Sequence, residues 1–106
     1  MVTIEEFKKL EIKIAVIKEV ADHPNADRLY IITLDLGNKT KQVVAGIKSS
    51  YTKEELIGKQ VVIVDNLAPA VLRGVESQGM ILAASDAEGI ALISPERKMQ
   101  LGSVVK

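Results

Sequence analysis

The sequence has no cysteine, no tryptophan and a single histidine, His23. Without cysteine, neither a disulfide framework nor a thiolate metal site can form, and a lone histidine is a poor basis for a metal site or a catalytic base. We therefore expect no metal and no cofactor, and His23, which precedes Pro24, is predicted to lie in a turn. Because no apolar run is long enough to cross a membrane and no cleavable leader is recognised, the sequence predicts a soluble cytoplasmic protein without a membrane partner.

The sequence also has no excess of charge. Lysine plus arginine and aspartate plus glutamate each number 14, and the isoelectric point is about 6.6. Domains that coat nucleic acid through bulk charge usually have an isoelectric point above about 9. The cations are nevertheless unevenly spread, because the stretch from Leu36 through Lys53 contains four lysines and no carboxylate. This run predicts either a locally positive face or only a solvated surface.

Catalytic motifs are absent as well. Ser77 lies in the segment from Gly74 to Gly79, whose spacing does not fit a nucleophile elbow. There is neither a G-x-G-x-x-G motif nor a phosphate-binding loop with a terminal lysine. Glu76 could serve as an acid or base, but a lone carboxylate beside Arg73 is more typical of an ion pair. The sequence therefore predicts a protein that is not an enzyme.

Enough apolar sequence is present for one domain, since 47% of the 106 residues are hydrophobic. Two capping boxes predict short helices that begin after Thr3 and after Thr52, and Gly58 ends the second helix. Val2 and Phe7 stand at the positions of a hydrophobic staple around the first helix. The predicted strands run from Leu10 to Val20, from Leu29 to Leu36, from Lys41 to Ala45, from Gln60 to Val64 and from Met80 to Ala84.

The order of these elements is three strands, a short helix and two strands. This order is typical of an all-β, five-stranded OB-fold, a Greek-key barrel, here covering residues 10–84. Residues 85–106 form an extension with surplus apolar side chains, which either covers its own barrel or pairs with a second copy. We expect a homodimer, with the interface formed by Ile90, Leu92, Ile93, Met99, Leu101 and Val104.

The loop that begins at Asn66 and enters the last barrel strand is the predicted binding site. Three aromatic residues are too few for stacking a single strand without sequence preference, so a structured RNA contacted through its shape and backbone fits better. The candidate contacts are the cations Lys39, Lys41, Lys48 and Arg73 and the polar residues Asn66, Ser77 and Gln78. Alternatively, Ser77 and Gln78 satisfy backbone groups at the start of the strand.

Four segments, from His23 to Gly37, Gln42 to Ile47, Tyr51 to Leu67 and Leu72 to Ala84, closely resemble the tRNA-binding domain family. That family includes the C-terminal domain of methionyl-tRNA synthetases, free-standing bacterial tRNA-binding proteins and the cytokine-like domain of metazoan synthetase complexes. The resemblance implies an OB-fold that holds tRNA by overall shape, and a homodimer assembled partly through C-terminal residues.

Within the binding loop, the resemblance marks Asn66, Ser77, Gln78 and Met80 as RNA-binding positions and places Arg73 at a frequently basic one. Met80 also suits a core position. The chain departs from the family at Ala70 and Val71, where relatives are commonly basic. This departure predicts weaker electrostatic attraction through the loop.

These observations together predict a non-catalytic tRNA-binding and dimerisation module. It would act within methionyl-tRNA synthetase or as a partner in trans to the catalytic region of that enzyme, and a start at Met1 fits either arrangement. The alternative is a chaperone-like dimer whose groove binds peptides.

Overall fold

The computed structural model describes all residues from Met1 to Lys106. It contains two short helices, α1 (Ile4–Phe7) and α2 (Lys53–Leu56), and neither is long and apolar enough to cross a membrane. The nine strands are β1 (Ile12–Asp22), β2 (Tyr30–Asp35), β3 (Thr40–Ala45), β4 (Gln60–Val64), β5 (Ala70–Leu72), β6 (Val75–Ser77), β7 (Met80–Ile81), β8 (Ala83–Asp86) and β9 (Gly89–Leu92).

Five strands form an antiparallel sheet in the order β3-β2-β1-β4-β7. The long strand β1 has a bulge between Ile17 and Glu19, and such bulges bend a strand. Its first half pairs with β4 and its second half with β2. The sheet nearly closes on itself, because the N–H of Gln78 donates to the carbonyl of Gln42 on β3 at 2.8 Å. The predicted OB-type barrel is confirmed.

Alternation along the strands places the core inside the barrel. On β2, Tyr30, Ile32 and Leu34 are buried while the residues between them are half-buried. Leu56 of α2 is fully buried in the same cluster, so the helix packs against the barrel core through this side chain. Full burial of such a side chain contributes about 1.5–3 kcal/mol to stability.

Both predicted capping boxes are present, at Thr3 with Glu6 and at Thr52 with Glu55. The two helices differ in packing, since α2 buries Leu56 whereas α1 buries no residue. The predicted staple around α1 hides neither partner, because Val2 and Phe7 are both exposed.

The structure differs from the predictions at the binding loop and after it. The loop contains a hairpin formed by β5 and β6, which the turn residues alone did not indicate. The predicted strand from Met80 to Ala84 is two strands, because β7 pairs with β4 whereas β8 leaves the barrel to pair with β9. This division arises from a change of partner rather than from a break in the apolar pattern.

The C-terminal extension lies along β1 of its own barrel. Ile14 accepts a hydrogen bond from the N–H of Gly102 at 2.8 Å and donates to Ser103 at 2.9 Å, and Val105 donates to Ile12 at 2.8 Å. Gly102 has φ +85°, and a Cβ there would lie 2.8 Å from the carbonyl oxygen of Leu36. The extension therefore covers part of its own barrel, which is one of the two predicted placements.

The residues predicted to form a dimer interface fall into two groups. Ile90 and Leu92 pack against the barrel core, and Leu101 is half-buried against the turn at Gly37. Ile93, Met99 and Val104 remain exposed. Dimerisation through this extension stays a prediction.

Candidate nucleic-acid interface

An arm of residues 65–79 connects β4 to β7 and carries the predicted binding residues. Its centre is the β5–β6 hairpin, in which Leu72 pairs with Val75 and Arg73 and Gly74 form the turn. Both turn residues have positive φ, +53° at Arg73 and +90° at Gly74. This combination suits a two-residue turn of type I′, which matches the twist of the flanking strands. Arg73 is the one residue other than glycine with positive φ.

The base of the arm is fixed by the buried carboxylate of Asp65. Three ammonium groups surround it, at 2.7 Å from Lys41, 2.9 Å from Lys39 and 3.1 Å from Lys13. Lys41 also donates to the main-chain carbonyls of Asp65 and Gln78. Burial alone would raise the pKa of Asp65, but hydrogen bonds from Lys41, Lys39 and Lys13 outweigh it and hold that pKa well below its usual range.

The lysine cluster keeps a positive excess. Glu11 lies 3.6 Å from Lys13, so two carboxylates face three ammonium groups. The side chain of Lys39 is 41% exposed, while those of Lys13 and Lys41 are 25% and 19% exposed. Lys39 therefore offers the most accessible charge to a phosphate group, and Lys41 mainly holds the arm in place.

Asn66 is exposed, and its side chain forms hydrogen bonds within the fold. Its side-chain oxygen accepts from the N–H of Glu11 at 2.8 Å, and its amide donates to the carbonyl of Lys9 at 2.7 Å. Both sites of the side chain are thus used to tie the arm to the segment that leads into β1.

The stem of the arm is held against β3 by side chains. Ser77 is buried, and its hydroxyl accepts from the N–H of Val44 at 2.9 Å and donates to the carbonyl of Gly79 at 3.1 Å. The side-chain oxygen of Gln78 accepts from the N–H of Gln42 at 2.9 Å. Because these groups replace main-chain partners at the edge of β3, the structure supports the alternative interpretation of Ser77 and Gln78 as structural residues.

The tip of the arm is joined to the loop between β1 and β2. His23 is buried, and its Nδ1 accepts from the N–H of Asn25 at 3.0 Å. The proton is therefore on Nε2, which donates to the carbonyl of Leu72 at 2.9 Å. Arg73 donates from Nη2 to the carbonyl of Asn25 at 3.1 Å, and the Asn25 amide donates back to the carbonyl of Arg73 at 3.4 Å.

Two cations at this junction have free donors. Arg73 makes one hydrogen bond through its guanidinium and no salt bridge, so the ion pair with Glu76 suggested by the sequence is not formed. Glu76 instead accepts a hydrogen bond from the amide of Gln78 at 3.3 Å. Arg28, in the β1–β2 loop, is exposed and has no hydrogen-bond or salt-bridge partner in the chain.

Lys48 lies apart from the arm. It pairs with Asp22 at 3.1 Å, as Lys53 does at 2.9 Å, and its ammonium is 6.0 Å from the centroid of the Tyr30 ring. Hydrogen bonds from Lys53 and Lys48 lower the pKa of Asp22. The structure thus brings Lys39, Lys41, Asn66, Arg73, Ser77 and Gln78 together along the arm and leaves Lys48 in a second cluster.

Met80 is 49% exposed at the end of the arm, so it is not the core residue that its type also allowed. Sequence reasoning missed Lys13, Asn25 and Arg28. The only available signal for the last two was their position in the segment from His23 to Gly37, which carries the resemblance to tRNA-binding domains. No group of three or more His, Cys, Asp or Glu side chains that could hold a metal ion is present.

The arm and the β1–β2 loop occupy the positions at which OB-folds bind oligonucleotides. In that fold, the face of strands 2 and 3 and the loops between strands 1 and 2 and between strands 4 and 5 form the site. Here these two loops contact each other directly, and the arm lies against β3. The fold, the loops and the free arginines therefore coincide in one region.

Methionine–tRNA ligases of three archaea are similar to this chain over nearly all of its length. Those of Thermococcus kodakarensis and Pyrococcus horikoshii are each 52% identical over 105 residues, or 99% of the chain. That of Nanoarchaeum equitans is 51% identical over 106 residues, or 100% of the chain. The chain spans 14% of the length of each of these relatives.

Two solved structures are similar to this chain over its whole length. A MetRS-related protein from Pyrococcus horikoshii is 32% identical with a TM-score of 0.92, covering 100% of this chain and 98% of that one. The CsaA chaperone protein of Picrophilus torridus is 28% identical with a TM-score of 0.93, covering 100% of both chains. A family model described as a putative tRNA binding domain matches residues 12–104. The chain thus belongs to the tRNA-binding domain family, as the segments from His23 to Ala84 indicated.

Proposed function

We propose that this chain is a non-catalytic module that binds tRNA through the arm of residues 65–79, the β1–β2 loop and the adjoining face of β3. One observation carries the proposal: the two loops that bind oligonucleotides in OB-folds are joined by His23 and Asn25, and Arg28 and Arg73 have free donors there. Family membership and the similarity to methionine–tRNA ligases support it.

Local charge, and not net charge, attracts the RNA phosphates to this chain. The chain is neutral overall, but the lysine cluster at the base of the arm has a positive excess, and Arg73 at the tip and Arg28 in the adjoining β1–β2 loop add two cations. A backbone that follows the arm from base to tip would meet a cation at each end. Each phosphate neutralised by such a cation makes the slope of log K against log salt concentration more negative by about 0.7–0.9.

Asn66, Ser77 and Gln78 contribute to RNA binding mainly through their structural roles. Their side chains fix the arm against β3 and against the segment before β1, so their main role is to position the contacting residues. Direct contact falls to Lys39, Arg73 and Arg28, with Lys41 partly accessible. Met80, exposed beside the end of the arm, adds an apolar surface on which a sugar or base can rest.

We propose that the module acts together with a methionyl-tRNA synthetase catalytic region, in the same chain or in trans, in the cytoplasm. The similarity to one seventh of the length of methionine–tRNA ligases supports this role. Linking a tRNA-binding module to a separate catalytic site raises the effective concentration of tRNA there without altering the chemistry. The structure contributes no catalytic constellation to that step.

The chain is also proposed to form a homodimer. The exposed Ile93, Met99 and Val104 of the extension support this arrangement, as does the exposed apolar side of α1. Val104 bridges to Lys13 near the start of β1, and Leu10, exposed just before β1, lies at the same end of the barrel. A second copy of the chain would cover both surfaces and give each dimer two RNA sites.

A peptide-binding, chaperone-like dimer is the second candidate. The observation that favours it is the outer edge of β5, which pairs only with β6 and exposes Val71 and Leu72. An extended peptide can add to such an edge through main-chain hydrogen bonds. The similarity to CsaA chaperone structures also supports it.

A gel-shift titration with folded tRNA and with unstructured RNA of equal length tests the leading proposal, run at two salt concentrations. Folded tRNA should bind more tightly, and the affinity should fall steeply with salt. Equal affinity for both RNAs, or binding that salt does not weaken, would contradict it. Competition by an extended apolar peptide would favour the second candidate.

A further inference from the structure

A pocket lies where the tip of the arm meets the β1–β2 loop. It has a volume of about 420 Å³ and is lined by residues 25–29 and Arg73. This size falls within the range of about 300–1,000 Å³ that is usual for pockets that bind small molecules. We call it the junction pocket.

The chemistry of the junction pocket combines planar cations with one carboxylate and a small apolar surface. Arg28 has no partner in the chain, and Arg73 uses only Nη2. Asp27 is exposed and forms no salt bridge, and Ala26 and Leu29 are half-buried. Guanidinium planes stack on bases and pair with phosphates, while a carboxylate accepts hydrogen bonds from the amino group of a base.

The pocket is held in shape before any ligand arrives. The tip of the arm is fixed by the hydrogen bond from Nε2 of His23 to Leu72 and by the reciprocal bonds between Asn25 and Arg73, while Nδ1 of His23 holds Asn25 within the β1–β2 loop. Arg73 is held at φ +53°, a conformation that costs an L-residue about 1–2 kcal/mol. Such strained residues persist where the surroundings fix them, and they cluster at ligand-binding positions.

We propose that the junction pocket binds one unpaired nucleotide of the RNA, with the base against Arg28 and its phosphate on Arg73. This inference rests on the proposed RNA-binding function and adds a preference to it. A base inside a duplex is stacked on both faces and cannot enter, whereas a base in a loop or at an end can be splayed out. The protein therefore distinguishes RNA with unpaired nucleotides from a fully paired helix.

The test compares a hairpin RNA that has an unpaired loop with a fully paired duplex of the same length and charge, by fluorescence anisotropy at low salt. Wild-type protein should bind the hairpin more tightly. Arg28→Ala should weaken hairpin binding by about tenfold, the scale expected for one stacked base, and change duplex binding by less than about twofold. Arg97→Ala, which removes an exposed cation from the extension, is the matched control and should leave both affinities unchanged.

One further variant and one competing ligand test the stacking contact. Arg28→Lys keeps the positive charge but loses the planar guanidinium, so its affinity for the hairpin should be as low as that of Arg28→Ala. An affinity equal to that of wild type would overturn the stacking contact. A free mononucleotide should compete at high concentration, because it carries the same base and phosphate. Since Arg28 has no partner in the chain, the melting temperature of Arg28→Ala should equal that of wild type, which excludes unfolding as the cause of weaker binding.

The outcomes distinguish this inference from the function on which it rests. If wild-type protein binds the hairpin and the duplex equally, or Arg28→Ala weakens both to the same extent, the junction pocket holds no unpaired nucleotide but RNA binding stands. If wild-type protein binds neither RNA nor folded tRNA at low salt, both proposals are wrong.

Discussion

The ring of His23 lies 2.9 Å from the carbonyl oxygen of Leu72, and this contact joins two loops that are 49 residues apart in the chain. The other ring nitrogen accepts from Asn25, so one neutral tautomer satisfies both loops at once. The only histidine of the chain is therefore a structural link between the two parts of the proposed binding site.

Replacement of His23 by alanine should separate the loops. It removes two hydrogen bonds from a buried position, so the free energy of unfolding should fall by about 2 kcal/mol, measured by urea denaturation. The affinity for tRNA should fall as well, because the tip of the arm no longer has a fixed position. In His23→Gln, an amide that can still donate to Leu72 should restore part of the stability and part of the tRNA affinity. Unchanged tRNA affinity in a folded but less stable His23→Ala protein would show that RNA does not use the joined loops.

Removal of the guanidinium at the tip should act on affinity and not on folding. Arg73→Ala is expected to weaken tRNA binding and to lower the magnitude of the salt slope by about 0.7–0.9, the amount for one phosphate contact. Titrations at four or more salt concentrations measure the slope. Lys98→Ala, an exposed cation of the extension without a partner, should leave the slope as it is. The same slope in Arg73→Ala as in wild type would place the phosphate contact elsewhere.

The carboxylate of Asp65 should make stability depend on acid pH. Its pKa is lower in the folded chain than in the unfolded chain, so its stabilisation is present above the unfolded pKa of about 4 and is lost as pH falls below that value. Asp65→Asn should therefore be less stable than wild type by about 2–3 kcal/mol at pH 7. Denaturation curves between pH 7 and pH 3 should show this difference shrinking below about pH 4. A difference that stays constant over the whole range would show that the lysines do not depend on this charge.

The proposed dimer should respond to charge on the exposed part of the extension. Ile93→Glu and Met99→Glu place carboxylates on side chains that are 43% and 37% exposed, so each chain should still fold. Light scattering after size exclusion should give twice the subunit mass of 11.5 kDa for wild type and one subunit for the variants. Val71→Glu on the arm is the control and should remain dimeric. A wild-type mass of one subunit at micromolar concentration would refute the dimer.

The barrel could be predicted from the sequence because its signals are local. Alternation fixes the buried face of β2 at Tyr30, Ile32 and Leu34, and capping boxes fix the helix starts at Thr3 and Thr52. These patterns report on neighbours within a few residues, and the strand from Gln60 to Val64 was predicted to the residue.

The roles within the site could not be predicted, because they depend on residues far apart in the chain. The pattern around Ser77 does not reveal that the Ser77 hydroxyl accepts a hydrogen bond from the N–H of Val44, 33 residues earlier in the chain. Likewise, Lys41 looks free in a run without carboxylates, although Asp65 lies 2.7 Å from its ammonium in the folded chain. Only the three-dimensional pairing separates the cations that hold the arm from those at its tip.

RNA binding at the joined loops and along the arm can be mapped residue by residue. It is tested most directly by NMR titration of the isotope-labelled chain with folded tRNA, following the backbone amide of each residue. The largest changes should fall on residues 23–29, 39–44 and 65–80, with little change in α1 and in residues 94–106. Changes concentrated on the extension or on α1, with the amides of Arg28 and Arg73 unaffected, would contradict it.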